Sequence, residues 1–133
     1  MAASVSGRFS FTKLVVHDLE AMAAYYGAVF GLEQLDRYKT DSLGTPIDEI
    51  MLGAQGERTG LILFRYLERD AAVNGEVILG FSTRDIRALF ARAESAGGRV
   101  EVAPYDPQIP GLSLVGFLAD PEGHLAEVVE YSA

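Results

Sequence analysis

The groups in this chain that could carry acid–base or metal chemistry collect near its C-terminal end, in Asp120-Pro121-Glu122-Gly123-His124 and, three residues on, Glu127. A carboxylate set among Leu125 and Val129 just past a tight turn could ligate a divalent cation or move a proton. Its potential helpers are few. The chain has two histidines and no cysteine, which removes thiolate nucleophiles, disulfides and Cys-based zinc sites. His17 stands directly before Asp18, and His124 follows the Gly123 turn, so both are predicted to be strand-boundary residues near solvent. No glycine loop of the phosphate-cradling kind is present, and no Ser or Thr can be tied to a His and a carboxylate.

The elements that must position Glu127 are described twice. Asp85 lies 67 residues after Asp18, and the same offset carries Leu19 onto Ile86, Met22 onto Leu89 and Gly31 onto Gly98. Ahead of each Asp is a strand-like run, Phe9 to His17 and Glu76 to Thr83. After each comes a helical pattern, with Leu19, Met22, Tyr26 and Val29 in one copy and Ile86, Leu89, Phe90 and Ala93 in the other. The Asp carboxylates are suitable N-caps, and Gly31 and Gly98 would close the helices through positive φ. Three further strands follow each helix: Glu33 to Lys39, Thr45 to Gly53 and Gly60 to Tyr66, then Arg99 to Ala103, Leu112 to Ala119 and His124 to Tyr131. The predicted fold is α+β, with two tandem βαβββ modules at about 8–66 and 75–131 joined by a polar connector at 67–74. Together they form an open, cupped mixed sheet around a cavity, with the helices outside and the whole chain, 1–133, as one domain.

Composition narrows the functions. The net charge of −8 and 49% hydrophobic content fit a packed domain and argue against nucleic acid and anionic membranes, which need a basic face. No apolar stretch reaches spanning length, and Met1 to Gly7 has neither the basic start nor the apolar core of a signal peptide. A cytoplasmic location is therefore expected.

The paired units, with Asp18-Leu19 followed by Tyr25-Tyr26, Phe30-Gly31-Leu32, and Asp120-Pro121-Glu122-Gly123 leading to Glu127-Val128, resemble the vicinal oxygen chelate superfamily. That group includes glyoxalase I, extradiol dioxygenases and bleomycin-binding proteins. The resemblance covers about Phe9 to Tyr131 and implies a homodimer and a small-molecule ligand. In its metal-dependent members, a divalent ion is held from the first and last strand of each unit. Carried onto this chain, those slots fall at Phe11, at Leu63 (or Ile62 with a register slip of one), at Ile78 and at Glu127. Phe, Leu and Ile offer no donor atoms, so neither a metal nor another cofactor is expected.

Strand alternation predicts what the cavity holds instead. Phe11, Lys13 and Val15 should face it from the first strand, and Leu61, Leu63 and Arg65 from the fourth, with Ile62, Phe64 and Tyr66 against the helices. Ile78, Gly80 and Ser82, then Leu125, Glu127 and Val129, should face it from the second unit, and Tyr105 should lie in a loop able to cover it. Glu127 either meets the ligand or pairs with Lys13 or Arg65. The expected ligand-binding set is Phe11, Lys13, Leu63, Arg65, Ile78, Tyr105 and Glu127. The acidic chain suits a cationic ligand, whereas Lys13 and Arg65 inside the pocket suit a carboxylate, and the local charges are given the greater weight. The leading expectation is a small-molecule-binding protein without a metal site. The alternative is a metal-independent lyase, isomerase or cyclase with Glu127 as general acid or base, its pKa raised by burial among Leu125, Val129 and Leu63. A metal-dependent glyoxalase or dioxygenase is a third reading.

Overall fold

The computed structural model describes residues 6–57, 60–72 and 75–133. The end of the predicted connector and most of the N-terminal segment read for targeting lie outside them. The elements run β1 (Phe11–Val15), α1 (Leu19–Phe30), β2 (Glu33–Ser42), β3 (Thr45–Gly53), β4 (Gly60–Tyr66), β5 (Ile78–Thr83), α2 (Ile86–Ser95), β6 (Arg99–Tyr105), β7 (Leu112–Ala119) and β8 (Leu125–Tyr131). Two four-stranded sheets result, ordered β1-β4-β3-β2 and β5-β8-β7-β6, each with one parallel pair at the edge strand. The predicted order of elements is thus reproduced in both units. Their ends differ in places: β2 runs on to Ser42 and β8 starts one residue later, at Leu125. β1 and β5 are two residues shorter at their starts than predicted, β1 also at its end, and β6 runs on to Tyr105.

Both helices start as their sequences dictate, with Asp18 and Asp85 carboxylates accepting from the N–H groups of Ala21 and Ala88. Gly31 caps α1 in the left-handed region at φ 70°. The end of α2 differs from the expectation. Gly97, not Gly98, takes the positive φ, while the Gly98 N–H bonds back to the Ala93 carbonyl. Gly98 is needed for a different reason: a Cβ there would stand 2.6 Å from the Tyr25 hydroxyl.

One apolar core lies between the helices and the sheets. It joins Leu14, Val16, Met22, Tyr26, Val29, Ile50, Leu52, Leu61 and Leu63 of the first unit to Ile86, Leu89, Phe90, Ala93, Leu118 and Val128 of the second. An aromatic stack crosses between the units, with Phe30 and Phe81 centroids 3.8 Å apart. The opposite, concave faces of the sheets are open at β1, β5 and β6, where Phe11, Ile78, Val102 and Tyr105 are exposed. Among the described residues, no helix is long and apolar enough to cross a membrane.

Candidate functional site

Leu14 of β1 and Val16 just past its end enter the core, so Phe11, Lys13 and Val15 occupy the concave face. Register extends this face across the sheet, since Lys13 aligns with Ile62 and Val15 with Phe64 on β4, and Phe64 with Glu49 on β3. The face predicted for β4 is therefore reversed. Leu63 aligns with Leu14 and is fully buried in the core, and Arg65, two residues on, shares its helix-side orientation. Ile62, Phe64 and Tyr66 take the concave positions. The reason is that β4 lies between two strands, and its apolar residues Leu61 to Phe64 are all buried. A strand buried on both faces carries no alternation to read.

Glu49 went unnoticed in the sequence because Asp48 beside it is also acidic, so parity alone does not choose a face. Asp48 turns to the helix side, where Arg37 holds it at 2.9 Å and also reaches Glu20 of α1. Glu49 turns to the concave side. Its Oε2 lies 2.9 Å from Lys13 Nζ, and that ammonium sits 4.9 Å from the centroid of Phe64. Lys13 thus pairs within its own sheet and not with Glu127.

The second sheet orients as its alternation predicts. Leu79, Phe81 and Val128 pack toward the helices, which leaves Ile78, Gly80, Ser82, Leu125, Glu127 and Val129 on the concave face. Glu127 aligns with Gly80 on one side and Phe117 on the other. It is half-buried and makes no ion pair or hydrogen bond among the described residues. Tyr105 is a strand residue aligned with Val115, whose partner Val129 is concave, so the predicted loop position is corrected. Phe11, Ile78 and Tyr105 are all exposed.

Two recesses follow the seam between β1 and β5. One of about 180 Å³ is lined by Lys13, Val15, Ala72, His124 and Leu125 among others. A second, of about 420 Å³, includes Phe9, Leu32, Ile78, Gly80 and Phe81. Neither includes Glu127 or Tyr105, which lie on the open part of the face.

β4 and β8 start and end 65 residues apart, so the structural counterpart of Glu127 is Ile62, as the register Lys13–Ile62 and Gly80–Glu127 also requires. The positions that correspond to a metal site are then Phe11, Ile62, Ile78 and Glu127, which together supply one carboxylate. Among the described residues there is no group of three or more Asp, Glu or His arranged to hold a metal ion.

The turn Asp120 to His124 serves another purpose. His124 is buried, contrary to its predicted place near solvent. Its Nδ1 lies 2.8 Å from Asp120 Oδ2 and its Nε2 3.0 Å from the Val15 carbonyl. Both ring nitrogens face acceptors, so both must donate, and the arrangement calls for an imidazolium beside a carboxylate. Burial opposes the charge on His124, but the hydrogen bond and charge of Asp120 outweigh it and raise the pKa. For Asp120 burial likewise opposes ionisation, and the bonds from His124 and Tyr26 prevail and lower its pKa. The Tyr26 hydroxyl donates to Asp120 at 2.7 Å, and burial with the nearby Asp120 charge pushes Tyr25 up to about 12. Glu122 adds two bonds at 2.7 Å from the N–H groups of His17 and Asp18. The turn therefore ties the second unit to the first. His17 is exposed, 3.8 Å from Asp70.

Residues 8–128 match the family model for the Glyoxalase/Bleomycin resistance protein/Dioxygenase superfamily. No curated protein sequence matches the chain. Among solved structures, a glyoxalase family protein from Bacillus cereus is 16% identical with TM-score 0.81, over 100% of this chain and 99% of that one. A glyoxalase-related enzyme from Fulvimarina pelagi is 25% identical with TM-score 0.63, over 92% and 87%. Glyoxalase I from Zea mays is 22% identical with TM-score 0.76, over 95% of this chain and 45% of that one.

Proposed function

We propose a function from one premise: the chain belongs to the Glyoxalase/Bleomycin resistance protein/Dioxygenase superfamily. It binds a small organic molecule on the concave face, without a metal ion. The observation that carries this reading is the set of side chains at the four positions where the fold would hold a metal. Phe11, Ile62 and Ile78 line that place with hydrocarbon, and Glu127 alone supplies a donor. A divalent cation needs several oxygen or nitrogen ligands, whereas an organic ligand is well served by apolar walls with one or two polar groups. The fold itself does not choose among activities, since one scaffold of this kind hosts many. A second copy of the chain covering the open face, in a cytoplasmic homodimer, belongs to the same reading.

A second reading is favoured by the same Glu127. Among the described residues no cation holds it, so it is free to take or give a proton in a metal-independent lyase, isomerase or cyclase reaction. Glu127→Gln separates the two, because it abolishes turnover in the enzyme while leaving a pure binding protein without any turnover to lose.

The first experiment is the thermal midpoint of protein purified without chelators, with and without added Zn²⁺, Ni²⁺, Mn²⁺ and Fe²⁺, alongside the metal content of the protein. Sub-stoichiometric metal and an unchanged midpoint are expected. One tightly bound ion per chain, with a midpoint that rises on loading, would overturn the metal-independent reading.

A further inference from the structure

We infer that Glu127, with the open floor at Gly80 and the ring of Phe117 beside it, is a subsite for a protonated amine, and that the ligand is an organic cation. This rests on the reading of the concave face as a small-molecule site.

A comparison of the two concave faces supplies the argument. A carboxylate stands on an inner strand of each concave face, Glu49 on β3 and Glu127 on β8, at positions that the repeat does not match; Asp36, on the outer strand β2, takes the Tyr38 hydroxyl. In the first unit Lys13 neutralises Glu49: the ammonium lies 2.9 Å from its carboxylate and 4.9 Å from the centroid of Phe64. Carboxylate and aromatic ring together make a cation site, the one by charge and the other through its quadrupole. In the second unit, the position that matches Lys13 in the repeat is Gly80. Glu127 aligns with Gly80 on one side and with Phe117 on the other, so the carboxylate and the ring are both present, and the lysine is replaced by hydrogen. A Cβ built on Gly80 meets nothing within 4 Å. Its φ is not in the left-handed region, so neither backbone conformation nor crowding requires glycine there. Its effect is the space it leaves beside Glu127.

The remaining charges agree. Lys13 is engaged by Glu49, Arg65 lies on the helix side, and Arg99 is held by Glu101 at 2.5 Å. Arg69 sits over the Tyr66 ring, 3.7 Å from its centroid. The two features that pointed to a carboxylate ligand are thus spent or turned away, and the net charge of −8 draws cations toward the protein.

The test uses three probes of matched shape, phenethylammonium, phenethyl alcohol and 3-phenylpropionate. Each is titrated into the full chain while backbone amide signals are followed by NMR. The expected result is that phenethylammonium binds about tenfold more tightly than the alcohol, with the largest shifts at Gly80 and Glu127. Glu127→Gln should abolish this preference, and Gly80→Leu should block the amine while leaving the thermal midpoint unchanged. Equal affinity for the three probes, tighter binding of the carboxylate, or a preference that survives Glu127→Gln would overturn the amine subsite and leave the small-molecule reading standing. Failure of all three probes to bind the concave face would sink both.

Discussion

At the scale of the residue, the two acidic neighbourhoods of this chain have opposite fates. Among the described residues Glu127 has no partner, whereas Asp120 is saturated by His124, Tyr26 and the backbone N–H groups of Glu122 and His124. The Asp120–His124 pair has a definite pH signature. His124 has a raised pKa in the folded state, so its contribution is fully present below the ordinary value of 6.5 and is lost as pH rises through the folded value. Asp120 has a lowered pKa, so its contribution is present above the ordinary 3.8 and is lost as pH falls through its folded value. His124→Asn should therefore destabilise by about 1 to 3 kcal/mol near pH 6, and the gap from the parent protein should narrow as pH rises. Denaturant unfolding of both proteins from about pH 5 to about pH 9 checks this. A gap that stays constant over that range would show that the imidazolium contributes nothing.

At the scale of the element, glycines that look alike in sequence do different work. Gly98 lets β6 begin directly against α1, where an added Cβ would be 2.6 Å from the Tyr25 hydroxyl and 3.1 Å from the Ala119 carbonyl. Gly98→Ala is expected to cost about 1 to 3 kcal/mol, since a packed aromatic and a backbone carbonyl must both give way. Gly80→Ala, in open space, should stay within about 0.5 kcal/mol. Equal thermal midpoints for the two variants would mean that the Tyr25 contact yields freely. Strand alternation was legible where a strand has one wet face, as in β5, whose exposed Ile78, Gly80 and Ser82 alternate with half-buried Leu79, Phe81 and Thr83. It failed on β4, whose two faces are both buried.

At the scale of the whole molecule, the two units share one core and are tied by His124 to Val15, Glu122 to His17 and Asp18, and Arg92 to the Val29 carbonyl. Their concave side stays open, with Phe11, Ile78, Val102 and Tyr105 exposed on or beside it. Large apolar side chains exposed on one face are the kind of surface that a partner or ligand covers. A homodimer is the expected outcome, to be read as a sedimenting species of twice 14.4 kDa. A single species at the chain mass at micromolar concentration would overturn that assembly.

The sequence by itself determined the two βαβββ units, the N-caps of their helices and the Gly31 cap of α1, the apolar character of the metal positions and the concave placement of Lys13 and Glu127. Each of these follows from local periodicity, capping chemistry or an internal repeat, which a single strand or helix carries in its own residues. Only the tertiary structure decided that Lys13 belongs to Glu49, that Leu63 and Arg65 face the helices, and that His124 is a buried clamp between units. Those facts depend on register between strands distant in sequence, and register is fixed by packing across the sheet and not by any pattern along one strand.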